Sequence, residues 1–149
     1  MTVVEPEGTP ISIGVLLLLP YRHLEQRILA AVDAAGYDIT LAQARVFQRL
    51  DPGGSRLTDL ATAAQTTKQA AGFLVDELER GGYVARGPDP RDRRARLIQI
   101  TDRGRDVVAV ALAEQRGIEA EWEAHLGRAR LDELRVTLER LREITDPWL

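Results

Sequence analysis

Residues 89 to 104 read DPRDRRARLIQITDRG, a proline turn crowded with arginine that runs into an alternating strand and then into a helix start at Thr101. A second run, Tyr83-Val84-Ala85-Arg86, lies before the Asp89-Pro90 turn and pairs naturally with Arg96-Leu97-Ile98-Gln99-Ile100 after it. Two short antiparallel strands with a basic tip have the shape of a wing. A wing of this kind reaches a nucleic-acid groove, so the residues upstream decide its meaning.

Upstream, apolar residues fall at helical spacing in three short segments. Thr40 is placed to cap a helix whose face includes Leu41, Ala44, Phe47 and Leu50, and the Asp51-Pro52-Gly53-Gly54 turn ends it. Leu57, Leu60, Ala61 and Ala64 outline the next helix, with Thr58 or Asp59 near its start. The third opens at Thr66-x-x-Gln69, which fits a capping box, buries Ala70 or Ala71, Leu74, Val75 and Leu78, and stops at Gly81-Gly82. A short helix, a tight turn and a second helix form a helix-turn-helix, and the second helix of that motif offers its N-terminal residues to base edges in the major groove.

The flanks are longer helices. Leu17, Leu24, Ile28, Ala31, Val32 and Ala35 share one face before Gly36, while Pro20 either sits in the first turn or kinks a longer helix. After Thr101, Val108, Ala111, Leu112, Ile118, Trp122 and Leu126 continue a long helix, and Leu131, Leu134, Leu138 and Leu141 form a seam on the last one. Their stripes exceed what the central unit can cover, which implies a second copy. Leu16, Leu17, Leu131, Leu134, Leu138 and Leu141 are the expected dimer contacts. The expected fold is therefore mainly α with a small two- or three-stranded antiparallel β wing, a winged helix-turn-helix with long N- and C-terminal dimerisation helices. It forms a single domain of 149 residues, with a DNA-binding lobe at about 38–100 and dimerisation helices at about 12–35 and 102–145.

Composition excludes several alternatives. There is no cysteine, hence no disulfide framework, thiolate zinc site or cysteine redox switch within the chain. The run from Ile11 to Leu19 is about half the length that spans a bilayer, and Glu5 and Glu7 precede it where a signal peptide carries positive charge. Residues 1–10 read as a frayed tail, and the expected location is the cytoplasm, with no membrane partner. His23 and His125 are the only histidines, so neither a metal nor a cofactor is expected. No Ser-His-Asp order, metal cluster or phosphate loop supports catalysis, and an enzyme is not expected.

The net charge of −3 conceals an asymmetry. Between Arg86 and Arg105 seven arginines face three aspartates, so this window is +4 and the remainder of the chain carries −7. Lys68 is the one lysine among 20 basic residues, so the clustering of arginine in the turn is more telling than its number. Within the helix-turn-helix, Gln65, Thr66, Thr67, Lys68 and Gln69 are the candidates to meet DNA, with Gly72 leaving room for close backbone approach. Gln suits adenine, Lys suits guanine or phosphate, and Thr suits a phosphate oxygen or a thymine methyl. Thr66 and Gln69 have a second reading as caps of the helix, which weighs more for Thr66 than for Gln69. At the wing, Arg91, Asp92, Arg93 and Arg94 are the candidates to meet DNA: the three arginines surround Asp92, an arrangement in which one arginine pairs with the carboxylate while Arg93 or Arg94 enters the minor groove.

From Leu57 to Gly104, LTDLATAAQTTKQAAGFLVDELERGGYVARGPDPRDRRARLIQITDRG, the chain resembles the multiple-antibiotic-resistance-regulator (MarR) family of bacterial transcription factors. DPRDRR, the IT that follows and Gly104 fall at the family's spacing, and the resemblance extends from Gly14 to Ile144. It implies a homodimer built from the first and the last two helices, a pseudo-palindromic double-stranded DNA operator, and in most members repression relieved by a small, often aromatic or anionic effector. Half-sites centred about 10 base pairs apart follow from two recognition helices related by a dyad. Tyr21, Arg22, His23, Tyr37, Arg45 and Trp122 are the polar or aromatic residues on the helices that would border an effector. Gly72 and Phe73 depart from the polar residues usual in the recognition helix. A winged-helix protein-interaction module, its basic wing gripping an acidic partner without sequence-specific DNA binding, is the alternative from another class.

Overall fold

The computed structural model describes residues 7–149. The expected frayed tail falls mostly outside them. The chain runs α1 (Ile13–Ala34), α2 (Leu41–Phe47), α3 (Leu57–Ala63), α4 (Lys68–Arg80), β1 (Val84–Asp89), β2 (Asp92–Ile100), α5 (Asp102–Leu126) and α6 (Arg128–Thr145). This is the expected winged helix-turn-helix, with α2 and α3 packed on α4, α4 against β1, α3 against β2, and α1 packed along α5. Leu60, Val75, Leu78, Val84, Ile98 and Val107 form the centre of the core, joined by Val32 from α1.

The sheet is two-stranded, with Val84 opposite Ile100 and Pro88 opposite Arg96. Ser55 adds a single bridge to Ile98, exchanging both backbone hydrogen bonds at 2.9 and 2.8 Å, which is all that exists of a third strand. Both strands are longer than the sequence suggests at the wing end, whereas Tyr83 precedes β1 and is a buried core residue. The first helix begins at Ile13, where the Ser12 hydroxyl accepts the Val15 N–H. Pro20 thus lies inside α1, where it removes the donor that would satisfy the Leu16 carbonyl. The residues of that turn are exposed, so the Leu16 carbonyl is not sealed from solvent.

The turn between α3 and α4 corrects the expected capping box. Thr67, not Thr66, is the N-cap, its hydroxyl accepting the Ala70 N–H at 3.1 Å. The reason lies in how α3 ends. The Thr66 N–H donates to the Ala61 carbonyl and the Gln65 N–H donates to the Thr62 carbonyl, the paired bonds of a Schellman motif. Thr66 is consumed in closing α3, so α4 starts one residue later, and position N3 is Ala70, which cannot reciprocate as Gln69 would have. A complete capping box does occur at α2, where Thr40 and Gln43 satisfy each other's backbone donors.

The same motif ends α1 at Gly36 and α4 at Gly82, both with positive φ. In the turn before α4 that position is Gln65, with φ +55°, the one non-glycine in the left-handed region among the described residues. A side chain there costs roughly 1–2 kcal/mol. At the other end of the wing, Gly104 of α5 sits against Tyr83, and any Cβ would collide with the Tyr83 carbonyl oxygen and Ile100. Thr101 fixes this junction: its hydroxyl donates to the Gly82 carbonyl at 2.6 Å and accepts the Gly104 N–H at 3.1 Å.

Assignment of the cap leads to a simple expectation. Thr67→Ala lowers stability to urea by about 1 kcal/mol, the usual loss on removing a Thr N-cap, and Thr66→Ala by clearly less. Equal losses would return the cap to Thr66.

Candidate nucleic-acid interface

Two elements carry the candidate residues, the N-terminal turns of α4 and the tip of the wing. Gln65, Thr67, Lys68 and Gln69 are exposed, and Thr66 and Gly72 are half-buried. The first turn of α4 also presents free backbone N–H groups and the positive end of the helix dipole, both suited to a phosphate oxygen. Gly72 turns toward α3, where a Cβ would rest 3.5 Å from Leu57, an ordinary contact. The expected room for backbone approach at Gly72 is therefore not an unusually tight fit.

The wing tip is the pair Pro90-Arg91, since Asp89 lies opposite Asp92. The next matched pair is Pro88 with Arg96, so Arg93, Arg94 and Ala95 have no counterparts on β1 and bulge from the ladder. Both arginines are exposed. Two aspartates shape the turn through the backbone: Asp89 Oδ1 accepts the Arg91 N–H at 2.9 Å, and Asp92 Oδ1 accepts the Arg94 N–H at 3.0 Å. This corrects the expected pairing of Asp92 with an arginine side chain. A carboxylate two residues before an amide reaches it locally, without ordering a long guanidinium.

The aspartate that does pair is Asp89. It is buried at 6% exposure, and its Oδ2 accepts from Arg56 at 2.9 Å, tying the wing tip to the start of α3. The Arg91 amide and the Arg56 guanidinium hold the Asp89 carboxyl below the usual carboxylate range. Neither Arg56 nor the buried role of Asp89 was legible in the sequence, because 33 positions separate them and no spacing rule joins them.

The structure also divides the arginine cluster. Arg86 pairs with Asp76 and Glu79, Arg103 lies over the rings of Tyr37 and Tyr83, and Arg105 pairs with Asp102. Among the described residues, Arg91, Arg93, Arg94 and Arg96 make no ion pair. Uncompensated charge is thus concentrated on the tip and on β2 behind it, which is where a phosphate backbone would find it.

Beside the Gln65 turn, a cleft of about 350 Å³ is lined by Tyr21 of α1, Arg45, Arg49, Gln65, Arg142 and Asp146 among others. Its arginines are already engaged. Arg45 holds Glu25, while Arg49 and Arg142 share Asp146, whose carboxyl they and the Trp148 amide bring down to about 2. Arg49 Nε also donates to the Ala63 carbonyl at 2.9 Å, the last residue of α3 before the Gln65 turn. Of the six residues expected to border an effector, only Tyr21 and Arg45 line this cleft. Tyr37 packs edge-on against Tyr83, and Trp122 lines a groove between α5 and α6 with Leu131, Leu134 and Leu138. Arg22 and His23 are exposed on α1.

The expected dimer residues are left uncovered in the protomer. Leu16, Leu17, Leu134, Leu138 and Leu141 are all exposed, together with Leu18 and Leu19, and Leu131 is half-buried in the α5–α6 groove. No helix among the described residues is long and apolar enough to cross a membrane, and no cluster of His and carboxylate side chains there is arranged to hold a metal ion.

Residues 37–95 match the model of the MarR family. The chain is 36% identical over 120 residues to the transcriptional activatory protein BadR of Rhodopseudomonas palustris, a match that covers 78% of this chain and 66% of that protein. Its fold is similar to that of the transcriptional repressor CouR bound to a 23-mer DNA duplex, with 27% identity, a TM-score of 0.69, and coverage of 87% of this chain and 92% of that one. CouR from Rhodococcus jostii bound to p-coumaroyl-CoA is also similar, with 25% identity, a TM-score of 0.68, and coverage of 87% and 91%.

The Asp89 tether has a pH signature. A carboxyl whose pKa is depressed on folding stabilises the tethered wing above its unfolded pKa and loses that contribution as pH falls through the folded value. The protection of the Arg91 amide, taken as exchange relative to the unfolded chain at the same pH, is therefore high at neutral pH and falls below about pH 4, near the unfolded value of an aspartate. In Asp89→Ala it is low at neutral pH as well. Equal protection in the parent and the variant at pH 7 would show that the pair does not hold the wing.

Proposed function

We infer that this chain, which belongs to the MarR family of transcriptional regulators, binds a pseudo-palindromic DNA site as a homodimer and controls transcription in response to a small molecule. The observation that carries the reading is the joint surface of the α4 N-terminus and the bulged wing, the latter holding arginines with no partner carboxylate. Elements α2 to β2 act as the DNA lobe, and α1, α5 and α6 supply the dimer contacts. Gln65, Thr66, Thr67, Lys68 and Gln69 face the major groove, with Gly72 behind them against α3, while Arg91, Arg93 and Arg94 meet the adjacent minor groove and its phosphates. Asp92 shapes the bulge instead of touching DNA.

The exposed leucines of α1 and α6 support the dimer, because so much apolar surface on a protomer of this size calls for a second copy. The cleft beside Gln65 is the place for an effector. An anion entering it meets Arg45, Arg49 and Arg142, and must displace Glu25 or Asp146 to pair with them. The Arg49 contact to the end of α3 then carries the change to the reading turn. Relatives named as an activator and as a repressor both resemble the chain, so the sign of control follows from where the site lies relative to a promoter. The chain works in the cytoplasm and carries no catalytic activity of its own.

Salt dependence provides the test. For B-DNA the slope of log affinity against log salt is about −0.9 per neutralised phosphate, so removing one contact in each protomer flattens the slope by about 1.8 for the dimer. Binding of Arg93→Ala and Arg94→Ala to a duplex selected from random sequence, measured between 50 and 200 mM salt as an order-of-magnitude range of about fourfold, gives this change for whichever arginine contacts phosphate. An unchanged affinity and slope in both variants would contradict the role of the wing.

A further inference from the structure

The chain has two phenylalanines, and they have opposite surroundings. Phe47 is in the core, whereas Phe73 is 61% exposed on α4. The other outward residues of that helix are Lys68, Gln69, Asp76, Glu79 and Arg80, all polar. An aromatic ring in the middle of such a face gives up the burial that drives folding and gains nothing within the protomer. It needs a partner outside.

Its position restricts what that partner is. Phe73 is four residues beyond Gln69 and so stands directly above it on the same helix face. Counting from Lys68 it is the sixth helical residue, about 7.5 Å along the axis, which keeps it within the roughly 8.5 Å depth of a major groove entered by the N-terminal end of the helix. Acid begins only at Asp76, nearly one turn further on, where the helix would be leaving the groove. On the floor of a major groove one group is apolar, the C5-methyl of thymine, and an aromatic side chain is among those that meet it. The unpaired arginines of the wing give the molecule the charge that draws a duplex in, which favours DNA over an apolar protein surface as the occupant.

We propose that Phe73 is a specificity-determining residue that reads a thymine methyl in each half-site, one base step beyond the base read by Gln69. The inference rests on α4 being the reading helix. It adds an apolar element to a face otherwise read through hydrogen bonds, so the site demands thymine at that step through the methyl alone.

Replacing single thymines by deoxyuridine removes only the methyl and leaves every hydrogen-bonding edge intact. With a duplex selected from random sequence by the full-length protein, fluorescence anisotropy is expected to show one thymine per half-site whose replacement weakens binding about fourfold, and about 15-fold when both half-sites are changed, the effect of withdrawing one buried methyl each time. Phe73→Ala binds thymine and deoxyuridine duplexes equally, and Phe73→Leu, which keeps an apolar contact, retains part of the discrimination. Undiminished discrimination in Phe73→Ala, with sequence-specific binding intact, would overturn the inference and leave the role of α4 standing. Failure of the parent protein to prefer any sequence would instead remove the reading of α4 on which it rests. A change of assembly state in Phe73→Ala by sedimentation, with no thymine preference in the parent, would assign the ring to a protein contact and also overturn it.

Discussion

The surface on which the reading depends is set by one backbone constraint, the left-handed Gln65 between α3 and α4. Closing α3 with a Schellman motif turns the chain sharply enough for α4 to start three residues later, at Lys68, and it fixes which threonine caps that helix. Glycine does this at the ends of α1 and α4 without strain. A glutamine in the same conformation costs stability, and its exposed amide lies at the mouth of both the DNA-facing turn and the arginine-lined cleft. Strain kept at such a place is a reason to look for function there, since a glycine would have been the more stable choice.

Around that turn the molecule is held by a small number of cross-links between distant segments. Gly82, Tyr83, Thr101 and Gly104 join the end of α4, the root of the wing and the start of α5 into one junction, and the Tyr83 hydroxyl accepts the Asp38 N–H at 3.0 Å to bring in the segment before α2. Arg56 and Asp89 hold the tip, and Arg49 and Asp146 bind the end of α6 to the DNA lobe. The helix-turn-helix is consequently tied to α5 at the C-terminal end of α4, through Thr101, and to α6 at the end of α3, through Arg49 and Asp146. The second of these ties lines the arginine-rich cleft.

Local chemistry was legible in the sequence where it involved neighbouring residues. The Thr40 cap, the Gly81-Gly82 stop, the Asp89-Pro90 turn and the Thr101 start are signals completed within a few positions, and each lies where the residues indicate. The Thr66 box failed because its rule describes how a helix begins and ignores how the preceding one ends. Asp92 was matched with arginine by charge, although a nearby amide was a better partner. Contacts such as Arg56 with Asp89 and Arg49 with Asp146 depend on tertiary placement and leave no spacing to read. The left-handed Gln65 had no glycine or asparagine to mark it.

The most direct measurement is a footprint of the dimer on its selected duplex, combining dimethyl sulfate for the major groove with hydroxyl radicals for the backbone. Two protected major-groove windows about 10 base pairs apart, with backbone protection at the flanking minor grooves that disappears in the Arg93→Ala, Arg94→Ala double variant, is the result expected of α4 and the wing acting together. Major-groove protection unaccompanied by any change at the flanks in the double variant, or no protection within the major groove at all, would contradict it.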